Sequence, residues 1–329
     1  MIDLRKIEKV LITRFSSLGD ILLTTPLVRT LKQKYPHLKI DFLLKPQYRQ
    51  VYEFNPYINS LLFFENDRER EIRDELKKGK YDLVVDLQNN IRSRRILKNV
   101  GSVRRIFKKP TFKKFLLVKF KINKFKEIIP IPQYYARSIE NFRLDENGLD
   151  LFMPENIEPA LAHDGNYIGL CPGSRHYTKM WPKEYFVELG NMLEARGFTV
   201  VLFGGKDDKE TIAGISQHIK NSIDLSNNDN LLETAVNMKR CRLVICNDSG
   251  LMHTASAVKV PIIAIFGSTV KEFGFFPYKA KSLILENNLL NCRPCSHIGR
   301  SSCPEKHFKC MLEISPQIVF DNVLRFLPE

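Results

Sequence analysis

Hydrophobic residues in the first half of the chain alternate between short apolar runs and stretches with helical spacing. Residues 10–15 predict a buried strand, and residues 21–34 predict a helix with apolar residues every three or four positions. Pro26 lies inside this helical pattern, so we expect a kink or an early break there. Similar patterns predict further strands at 40–44, 61–64 and 83–87 and a charged helix at 68–78. Strand–helix repetition is typical of a parallel sheet.

The alternation stops between Pro110 and Pro132 and starts again after Pro159. In the second half it predicts strands at 167–171, 199–203, 243–246 and 262–266, and helices at 183–196, 231–238 and 253–258. Residues 150–164 are the predicted linker. We therefore expect an α/β protein with Rossmann-like domains at 1–155 and 156–315, their parallel sheets facing a central cleft, and a last helix in 316–329. Ligands of open α/β sheets bind beyond the carboxyl ends of the strands.

The composition is that of a globular protein. The chain has 329 residues, which fits two domains, with 43% hydrophobic and 27% charged residues. It has no apolar run near the roughly 20 residues that a transmembrane helix needs. The first nine residues lack the apolar core and cleavage site of a signal peptide, so a cytoplasmic location is expected.

The formal net charge of +14 is concentrated in one stretch, the basic segment 92–126. Residues 87–126 contain 14 Lys or Arg and no Asp or Glu, beginning with Arg92, Arg94 and Arg95. Such a patch indicates a polyanionic partner, which could be nucleic acid, anionic lipid or a phosphorylated glycan, although a solvated face is the alternative. We expect charge reversal at Arg94, Arg95, Arg104 and Arg105 to weaken binding to anionic vesicles.

Part of the basic segment interleaves aromatic residues with lysines. On a helix, Phe115, Val118, Ile122 and Phe125 would share one stripe, with lysines beside it. A basic amphipathic helix of this kind can lie in a membrane interface. A helix that packs its stripe on its own domain fits the pattern equally well.

The loop after the first strand carries the first candidate chemistry. Gly19 permits a tight turn, and Asp20 falls in the first turn of the next helix, where the helix dipole favours its ionised form. A carboxylate there can accept a proton from an acceptor hydroxyl, although an N-capping role is the alternative. Arg14 is suited to bind a phosphate or a carboxylate with two hydrogen bonds.

Three loops in the second half predict an anion site. Ser174 and Lys179 follow the strand at 167–171 and could meet a pyrophosphate, although a lone loop lysine is usually only solvated. The segment from Asn247 to His253 joins a strand to a helix, whose first backbone N–H groups form an anion site. A second small-residue loop, with Ser268 and Thr269, follows the next strand. Two such loops suit a diphosphate better than a single phosphate.

Several familiar motifs are missing from the sequence. The first strand is not followed by Gly-x-Gly-x-x-Gly, and there is no Walker-type loop, so nicotinamide enzymes and P-loop nucleotidases are disfavoured. There is also no Asp-x-Asp, the usual sign of a metal-assisted sugar-nucleotide site. The pattern favours charge stabilisation by lysine, hydroxyl and backbone N–H groups, with no cofactor required.

Together these motifs resemble glycosyltransferase family 9, the ADP-heptose:lipopolysaccharide heptosyltransferases. The resemblance runs from about Val10 to Val319 and rests on Ser17-Leu18-Gly19-Asp20, Pro172-Gly173-Ser174, Lys179-Met180-Trp181-Pro182, Asn247-Asp248-Ser249-Gly250-Leu251-Met252-His253 and Phe266-Gly267-Ser268-Thr269. It implies a GT-B fold, with the acceptor bound by the first domain and the sugar nucleotide by the second. It also implies that the last helix packs back toward the first domain.

The resemblance implies a role for each motif. Asp20 is similar to the general base, and Lys179 to the residue that neutralises the leaving diphosphate. The implied donor-binding residues are Ser174, Asp248, Ser249, Gly250, Leu251, His253, Ser268 and Thr269. The implied acceptor-binding residues are Arg14, Ser17, Gly19, Arg92, Arg94 and Arg95. The implied reaction is an inverting, metal-independent heptose transfer from ADP-heptose to phosphorylated Kdo–lipid A at the inner face of the inner membrane.

Four of the seven cysteines are clustered, at Cys292, Cys295, Cys303 and Cys310. In a cytosolic chain this spacing suggests a structural zinc more than disulfides, although the second pair is wider than usual. Cys171, Cys241 and Cys246 lie in or beside strands and are expected in the core.

Three other functions compete with this interpretation. A family-9 enzyme could use another sugar nucleotide or a later core acceptor. A basic nucleic-acid-binding protein would explain the charge but not the predicted diphosphate loops, and no binding motif for nucleic acid is present. An inactive protein with the same fold is disfavoured because Asp20 and Lys179 are both retained.

Overall fold

We describe the protein from a computed structural model, in which residues 2–140 and 142–327 are described. The chain forms two compact units. Unit 1 comprises Met1–Lys109 and Ile129–Pro154, and unit 2 comprises Pro110–Ile128 and Glu155–Glu329. The sequence analysis placed the whole basic segment in the first domain, whereas residues 110–128 belong to unit 2 by their contacts.

Unit 1 is built on a five-stranded parallel sheet in the order β3-β2-β1-β4-β5. Its strands are β1 (Lys9–Thr13), β2 (Lys39–Leu44), β3 (Ser60–Phe63), β4 (Leu83–Asp86) and β5 (Val103–Ile106). Its helices are α1 (Leu18–Leu22), α2 (Thr25–Lys34), α3 (Glu69–Lys78), α4 (Ile91–Ile96) and α6 (Ile131–Ala136). The strand order reverses between β1 and β4, so the loops after these two strands border the switch point where such sheets bind ligands.

The predicted break at Pro26 is confirmed. The helical pattern of 21–34 is divided into α1 and α2, and Pro26 is the second residue of α2. Proline is tolerated there because the first N–H groups of a helix have no partner within it. The break leaves α1 as a short helix directly after β1, which places Asp20 at the carboxyl end of the sheet.

Unit 2 is built on a six-stranded parallel sheet in the order β11-β10-β9-β6-β7-β8. Its strands are β6 (Tyr167–Cys171), β7 (Thr199–Leu202), β8 (Ile223–Asp224), β9 (Leu243–Asn247), β10 (Ile262–Phe266) and β11 (Ser282–Glu286). Its helices are α5 (Thr111–Phe120), α7 (Lys183–Glu194), α8 (Lys209–Ser216), α9 (Leu231–Met238), α10 (Gly250–Ala257), α11 (Lys309–Leu312) and α12 (Pro316–Phe326). The expected pair of parallel α/β sheets is thus confirmed. Here the order reverses between β6 and β9.

The last helix, α12, packs against α7 within unit 2. Its buried residues Val319, Phe320 and Val323 join the same hydrophobic cluster as Trp181 and the strands of the sheet. Packing of this helix toward the first domain stays a prediction.

Strands at or near the sheet edges were missed by the hydrophobic pattern. β5 contains Arg104 and Arg105, and its side chains are only half-buried. β11 is half-buried along its whole length, and β8 has only two residues. An edge strand does not bury both faces, so it need not show the apolar run that identifies a central strand.

Residues 110–128, which we call the basic arm, contain α5 and an irregular continuation. The helix ends at Phe120, so the predicted helical stripe is interrupted: Ile122 and Phe125 lie beyond it. No helix within the described residues is both long and apolar enough to cross a membrane.

A buried cation connects the two chain segments of unit 1. Arg29 on α2 donates through Nε and Nη2 to the carboxylate of Asp145, both at 2.8 Å, and through Nη2 to the carbonyl of Gly148 at 2.9 Å. It also pairs with Asp150. The Arg29 side chain is almost fully buried, and its charge is compensated by these carboxylates.

We expect Arg29→Met to lower the free energy of unfolding by about 3–5 kcal/mol, because two carboxylates lose their buried cation. Urea unfolding followed by circular dichroism measures this. Arg5→Met, which removes an exposed ion pair with Asp3, is the control and should leave the free energy of unfolding nearly unchanged. A loss at Arg29 no larger than the control would contradict this account.

Candidate active site

Asp20 lies on the first turn of α1, just beyond the carboxyl end of β1. The backbone N–H and the hydroxyl of Ser17 both donate to Asp20 Oδ2, at 3.1 and 2.9 Å. The other oxygen, Oδ1, lies 2.6 Å from Nη2 of Arg14, and the Asp20 side chain keeps 16% exposure. Ser17 is the N-cap of α1, and Asp20, three residues later, accepts a hydrogen bond from its backbone as in a capping box while presenting a nearly buried carboxylate. The N-capping position therefore belongs to Ser17, and the role of Asp20 as a base stays a prediction.

Arg14 has internal partners for all three guanidinium nitrogens. Nε donates to the carbonyl of Ser16 at 2.9 Å, and Nη1 donates to the carbonyl of Leu87 at 2.8 Å. Nη2 faces Asp20. Arg14 thus contacts Asp20 and joins the loops that follow β1 and β4. Its predicted contact with a ligand stays a prediction.

The charge of Arg14 controls the ionisation of Asp20. Burial raises the pKa of Asp20, but the Arg14 guanidinium and the hydrogen bonds from Ser17 outweigh it, so the pKa lies below its ordinary value. Asp20 is thus ionised at neutral pH. A carboxylate in this state accepts protons and hydrogen bonds and donates none.

Tyr135 and Lys109 were not singled out by the sequence analysis, although Lys109 lies within the basic segment. Tyr135 on α6 is fully buried, and its hydroxyl donates to Asp20 Oδ1 at 3.5 Å. Lys109, which follows β5, donates through Nζ to the carbonyl of Asn89 at 3.2 Å. Burial and the positive charge of Arg14 lower the pKa of Lys109, which places this amine near the Arg14–Asp20 pair.

Three of the four arginines predicted to bind the acceptor lie on α4, after β4. Arg94 donates through Nε and Nη2 to the side-chain oxygen of Asn89, at 3.1 and 2.8 Å. The Arg92 guanidinium lies 5.8 Å from the centroid of the Phe64 ring, and Arg95 pairs with Glu69. Arg94 and Lys109 therefore approach Asn89 together, while the charge of Arg95 is compensated within unit 1.

In unit 2, Lys179 and Asp248 form an ion pair at the switch point between β6 and β9. Lys179 Nζ lies 2.7 Å from Asp248 Oδ2, and both side chains are largely buried. The hydroxyl of Thr269 donates to the same oxygen at 2.7 Å. The sequence grouped Asp248 with the diphosphate-binding residues, yet a carboxylate has no donor for a phosphate. The geometry makes Asp248 the residue that positions Lys179 and Thr269.

Hydrogen bonds join the loop that contains Lys179 to the loop that contains Ser268. Ser268 N donates to the carbonyl of Thr178 at 3.2 Å, and the Thr178 hydroxyl donates to Ser268 Oγ at 3.0 Å. A Cβ on Gly267 would lie 2.7 Å from the Thr178 carbonyl oxygen, so only glycine fits there. Ser268 and Thr269, predicted to bind the diphosphate by their side chains, are both buried with their hydroxyls engaged inside the protein.

The amino end of α10 fits the predicted anion site. Ser249 caps this helix, and its Oγ is buried with no hydrogen-bond partner among the residues that the structure describes. Gly250 and Leu251 begin the helix, where backbone N–H groups have no partner within it. His253 lies on the same turn and is buried, and Ser174 is half-buried in the loop after β6.

Arg293, which the sequence analysis did not single out, binds the backbone of the loop after β10. It donates through Nε to the carbonyl of Gly267 at 2.6 Å and through Nη2 to that of Thr269 at 2.9 Å. Its charge is compensated by Glu286, 2.9 Å away, and both side chains are buried. Its only sequence signal was its position between Cys292 and Cys295.

The cysteine-rich segment is a structural part of this site. The backbone of Arg300 exchanges hydrogen bonds with Thr178, and the Phe308 ring stacks on Tyr177 at a centroid distance of 4.8 Å.

Burial raises the pKa of the Cys310 thiol to about 12. Across residues 2–140 and 142–327, no group of three or more Cys, His, Asp or Glu side chains is arranged to hold a metal ion, so the zinc hypothesis finds no ligand set there.

We expect Arg14→Met to raise the pKa of Asp20 from its native position, because burial is then opposed only by the hydrogen bonds from Ser17. In the native protein, ionised Asp20 contributes stability at neutral pH that is lost as the pH falls through its lowered pKa; in the variant this contribution is smaller. Carboxyl ¹³C NMR titration of Asp20 measures the shift. Arg92→Met is the matched control. An unchanged titration in folded Arg14→Met would refute the role of Arg14.

Comparison with known proteins places this chain in a family. Residues 69–307 match the family described as Glycosyltransferase family 9 (heptosyltransferase). Lipooligosaccharide heptosyltransferase 2 of Campylobacter jejuni serotype O:2 is 28% identical over 325 residues, covering 94% of this chain and 95% of that protein.

Two solved structures share the fold. A family 9 glycosyltransferase from Veillonella parvula has a TM-score of 0.80 at 24% identity, covering 99% of this chain and 98% of that one. The Escherichia coli ADP-heptose LPS heptosyltransferase II has a TM-score of 0.73 at 21% identity, covering 97% and 98%. The expected GT-B fold is confirmed. The chain therefore belongs to glycosyltransferase family 9, the heptosyltransferases, and is a glycosyltransferase.

Proposed function

We propose that this enzyme transfers heptose from ADP-heptose, with inversion, to the inner core of lipopolysaccharide. The acceptor is Kdo–lipid A or heptosyl-Kdo–lipid A. The observation that carries the proposal is Asp20: a nearly buried carboxylate, held ionised by Arg14, at the ligand-binding edge of the unit 1 sheet. Inverting transfer needs one such base and no covalent intermediate on the enzyme.

The hydroxyl oxygen of the acceptor attacks the anomeric carbon of the donor, and Asp20 takes the proton of that hydroxyl. The bond from that carbon to the diphosphate breaks, and ADP leaves from the opposite face. Because Arg14 lowers the pKa of Asp20, the carboxylate is too weak a base to deprotonate a free hydroxyl beforehand. Proton transfer therefore accompanies the attack, when the hydroxyl oxygen has become acidic.

The donor diphosphate is bound in unit 2. Lys179, positioned by Asp248, neutralises the charge that develops on the leaving group. The first N–H groups of α10 and the buried Ser249 hydroxyl donate to phosphate oxygens, with Ser174 beside them. Ser268 and Thr269 support this site through their internal hydrogen bonds. The proposed reaction needs no metal ion, because these donors supply the compensating charge.

The anionic acceptor is bound by unit 1. Arg94 and Lys109 both approach Asn89 and carry charges suited to the carboxylates or phosphates of a core oligosaccharide. Arg92, Ser17 and Gly19 are the remaining proposed acceptor-binding residues. Because the acceptor is a lipid, the enzyme works as a peripheral protein at the cytoplasmic face of the inner membrane. Nucleic acid is not a partner in this proposal.

The alternative is a family 9 transferase for another sugar nucleotide or a later core acceptor. ADP release from ADP-heptose, measured in EDTA with and without Kdo–lipid A, separates the possibilities. Acceptor-dependent release supports the proposal and its metal independence. Tight ADP binding without release would favour another sugar or acceptor, and no ADP binding would exclude the proposed donor.

We expect Asp20→Asn to lower kcat by about 10²–10⁴-fold, because the amide cannot accept the hydroxyl proton. The affinity for ADP should stay within about twofold, since Asp20 lies in unit 1. Asp74→Asn, an exposed change on α3, is the control. Turnover near that of the control, measured by ADP release, would remove Asp20 from the role of base.

Arg293→Met should weaken ADP binding by more than about tenfold, because the loop after β10 loses its buried support. The KM for ADP-heptose should rise and the KM for the acceptor should stay unchanged, a difference that general destabilisation would not produce. Isothermal titration with ADP and steady-state kinetics measure both. Arg242→Met, at a surface hydrogen bond to Asn166, is the control. Native ADP affinity in folded Arg293→Met would contradict this role.

A further inference from the structure

The basic arm, residues 110–128, presents its aromatic side chains to solvent. On α5, Phe112, Phe115 and Phe120 are 72%, 52% and 56% exposed, whereas Leu117 on the opposite side is 7% exposed. A helix of a soluble protein normally buries its aromatic residues and exposes its charged ones. Three large exposed phenylalanines on ten residues form an apolar surface of the kind that marks an interaction site.

Two of these aromatic residues contact each other. The rings of Phe115 and Phe120 meet edge to face at a centroid distance of 5.7 Å. The chain that continues from the helix adds Ile122 and Ile128, both exposed. The apolar surface therefore extends along the arm beyond the helix.

The arm is fixed to unit 2, so its exposed surface is not that of a loose segment. Lys121 donates through Nζ to the carbonyls of Cys292 and Pro294, at 2.9 and 2.7 Å, and to that of Val118 at 3.1 Å. Phe125 packs edge to face on Phe273 at 6.5 Å. A surface held in one orientation loses little conformational entropy when it binds.

Cations surround the apolar cluster. Lys113, Lys119, Lys124 and Lys126 are all exposed, and Glu127 is the one acidic residue in the sequence of the arm. Lysine has a long flexible stem and a strongly hydrated charge, which lets it reach phosphates above an inserted aromatic ring. Aromatic residues among lysines are the composition of segments that lie in the interface of anionic membranes.

We propose that the basic arm docks unit 2 on an anionic lipid bilayer, with Phe112, Phe115 and Phe120 entering the headgroup region and the lysines contacting lipid phosphates. The choice of a bilayer over a protein partner rests on the excess of positive charge on the arm, in which Glu127 is the one acidic residue, because this excess matches a negatively charged surface. The inference deepens the proposed function, since it rests on a lipid-linked acceptor.

The lysines of the arm, and not the arginines before it, supply this surface. Arg95, Arg104 and Arg105 are paired with Glu69, Asp86 and Glu140 within unit 1. The expectation that reversing Arg94, Arg95, Arg104 and Arg105 weakens vesicle binding is therefore replaced. Charge reversal at Arg95, Arg104 and Arg105 would break these internal ion pairs. A loss of vesicle binding would then not distinguish a docking defect from a folding defect.

The test is co-flotation of the full chain with vesicles of phosphatidylethanolamine and phosphatidylglycerol. The triple variant Lys119→Glu, Lys124→Glu, Lys126→Glu should lower the partition coefficient on the order of a hundredfold. Phe112→Ser, Phe115→Ser, Phe120→Ser should lower it by more than about tenfold. The control for charge is Lys77→Glu, Lys78→Glu, Lys220→Glu, which makes the same change in charge outside the arm. The control for apolarity is Leu289→Ser, Ile318→Ser, at two exposed apolar residues outside the arm. Both controls should bind as the wild type does.

Loss of binding in both arm variants, with retention in the controls, supports the docking surface. Native binding by either arm variant, an equal loss in the controls, or no binding by the wild type overturns it. Heptose transfer to a delipidated, water-soluble Kdo-containing acceptor distinguishes the docking proposal from the proposed function. The arm variants should turn this acceptor over at the wild-type rate, and failure of the wild type here would count against the proposed function alone.

Discussion

A charged group that is removed from water must be compensated inside the protein, and the carboxyl ends of both sheets are built around this constraint. In unit 1, Asp20 keeps its negative charge in a nearly buried position because Arg14 lies 2.6 Å away. In unit 2, Lys179 keeps its position because Asp248 lies 2.7 Å away. The first pair keeps the Asp20 carboxylate ionised, and the second holds the Lys179 ammonium group in place. Each pair lies at the point where the strand order of its sheet reverses.

Several groups support the proposed donor site through bonds within unit 2. Asp248, Ser268 and Thr269 are committed to bonds within unit 2, and Arg293 holds the carbonyls of the loop after β10. The cysteine-rich segment provides Arg293 and the backbone of Arg300. This segment therefore positions the two loops that flank the amino end of α10, a role that its cysteine content did not suggest.

The basic segment has two structural roles. Its first part lies in unit 1, where Arg95, Arg104 and Arg105 compensate carboxylates and Arg94 reaches Asn89. Its second part, the basic arm, lies in unit 2 with exposed phenylalanines and lysines. A stretch that reads as one patch of charge in the sequence thus divides into internal ion pairs and an exposed surface.

The sequence by itself determined the α/β class, most central strands, the break at Pro26 and the loops that carry Asp20, Lys179 and Ser249. These features follow from local physics, since buried parallel strands need apolar runs and helix ends need particular residues. Only the tertiary structure decided which charges are paired. Tyr135 reaches Asp20 across 115 positions of the chain, and Arg293 reaches Gly267 across 26. Ion pairing and burial depend on packing between distant segments, so no local pattern could assign Arg14 to Asp20, Arg104 to Asp86, or the arm to unit 2.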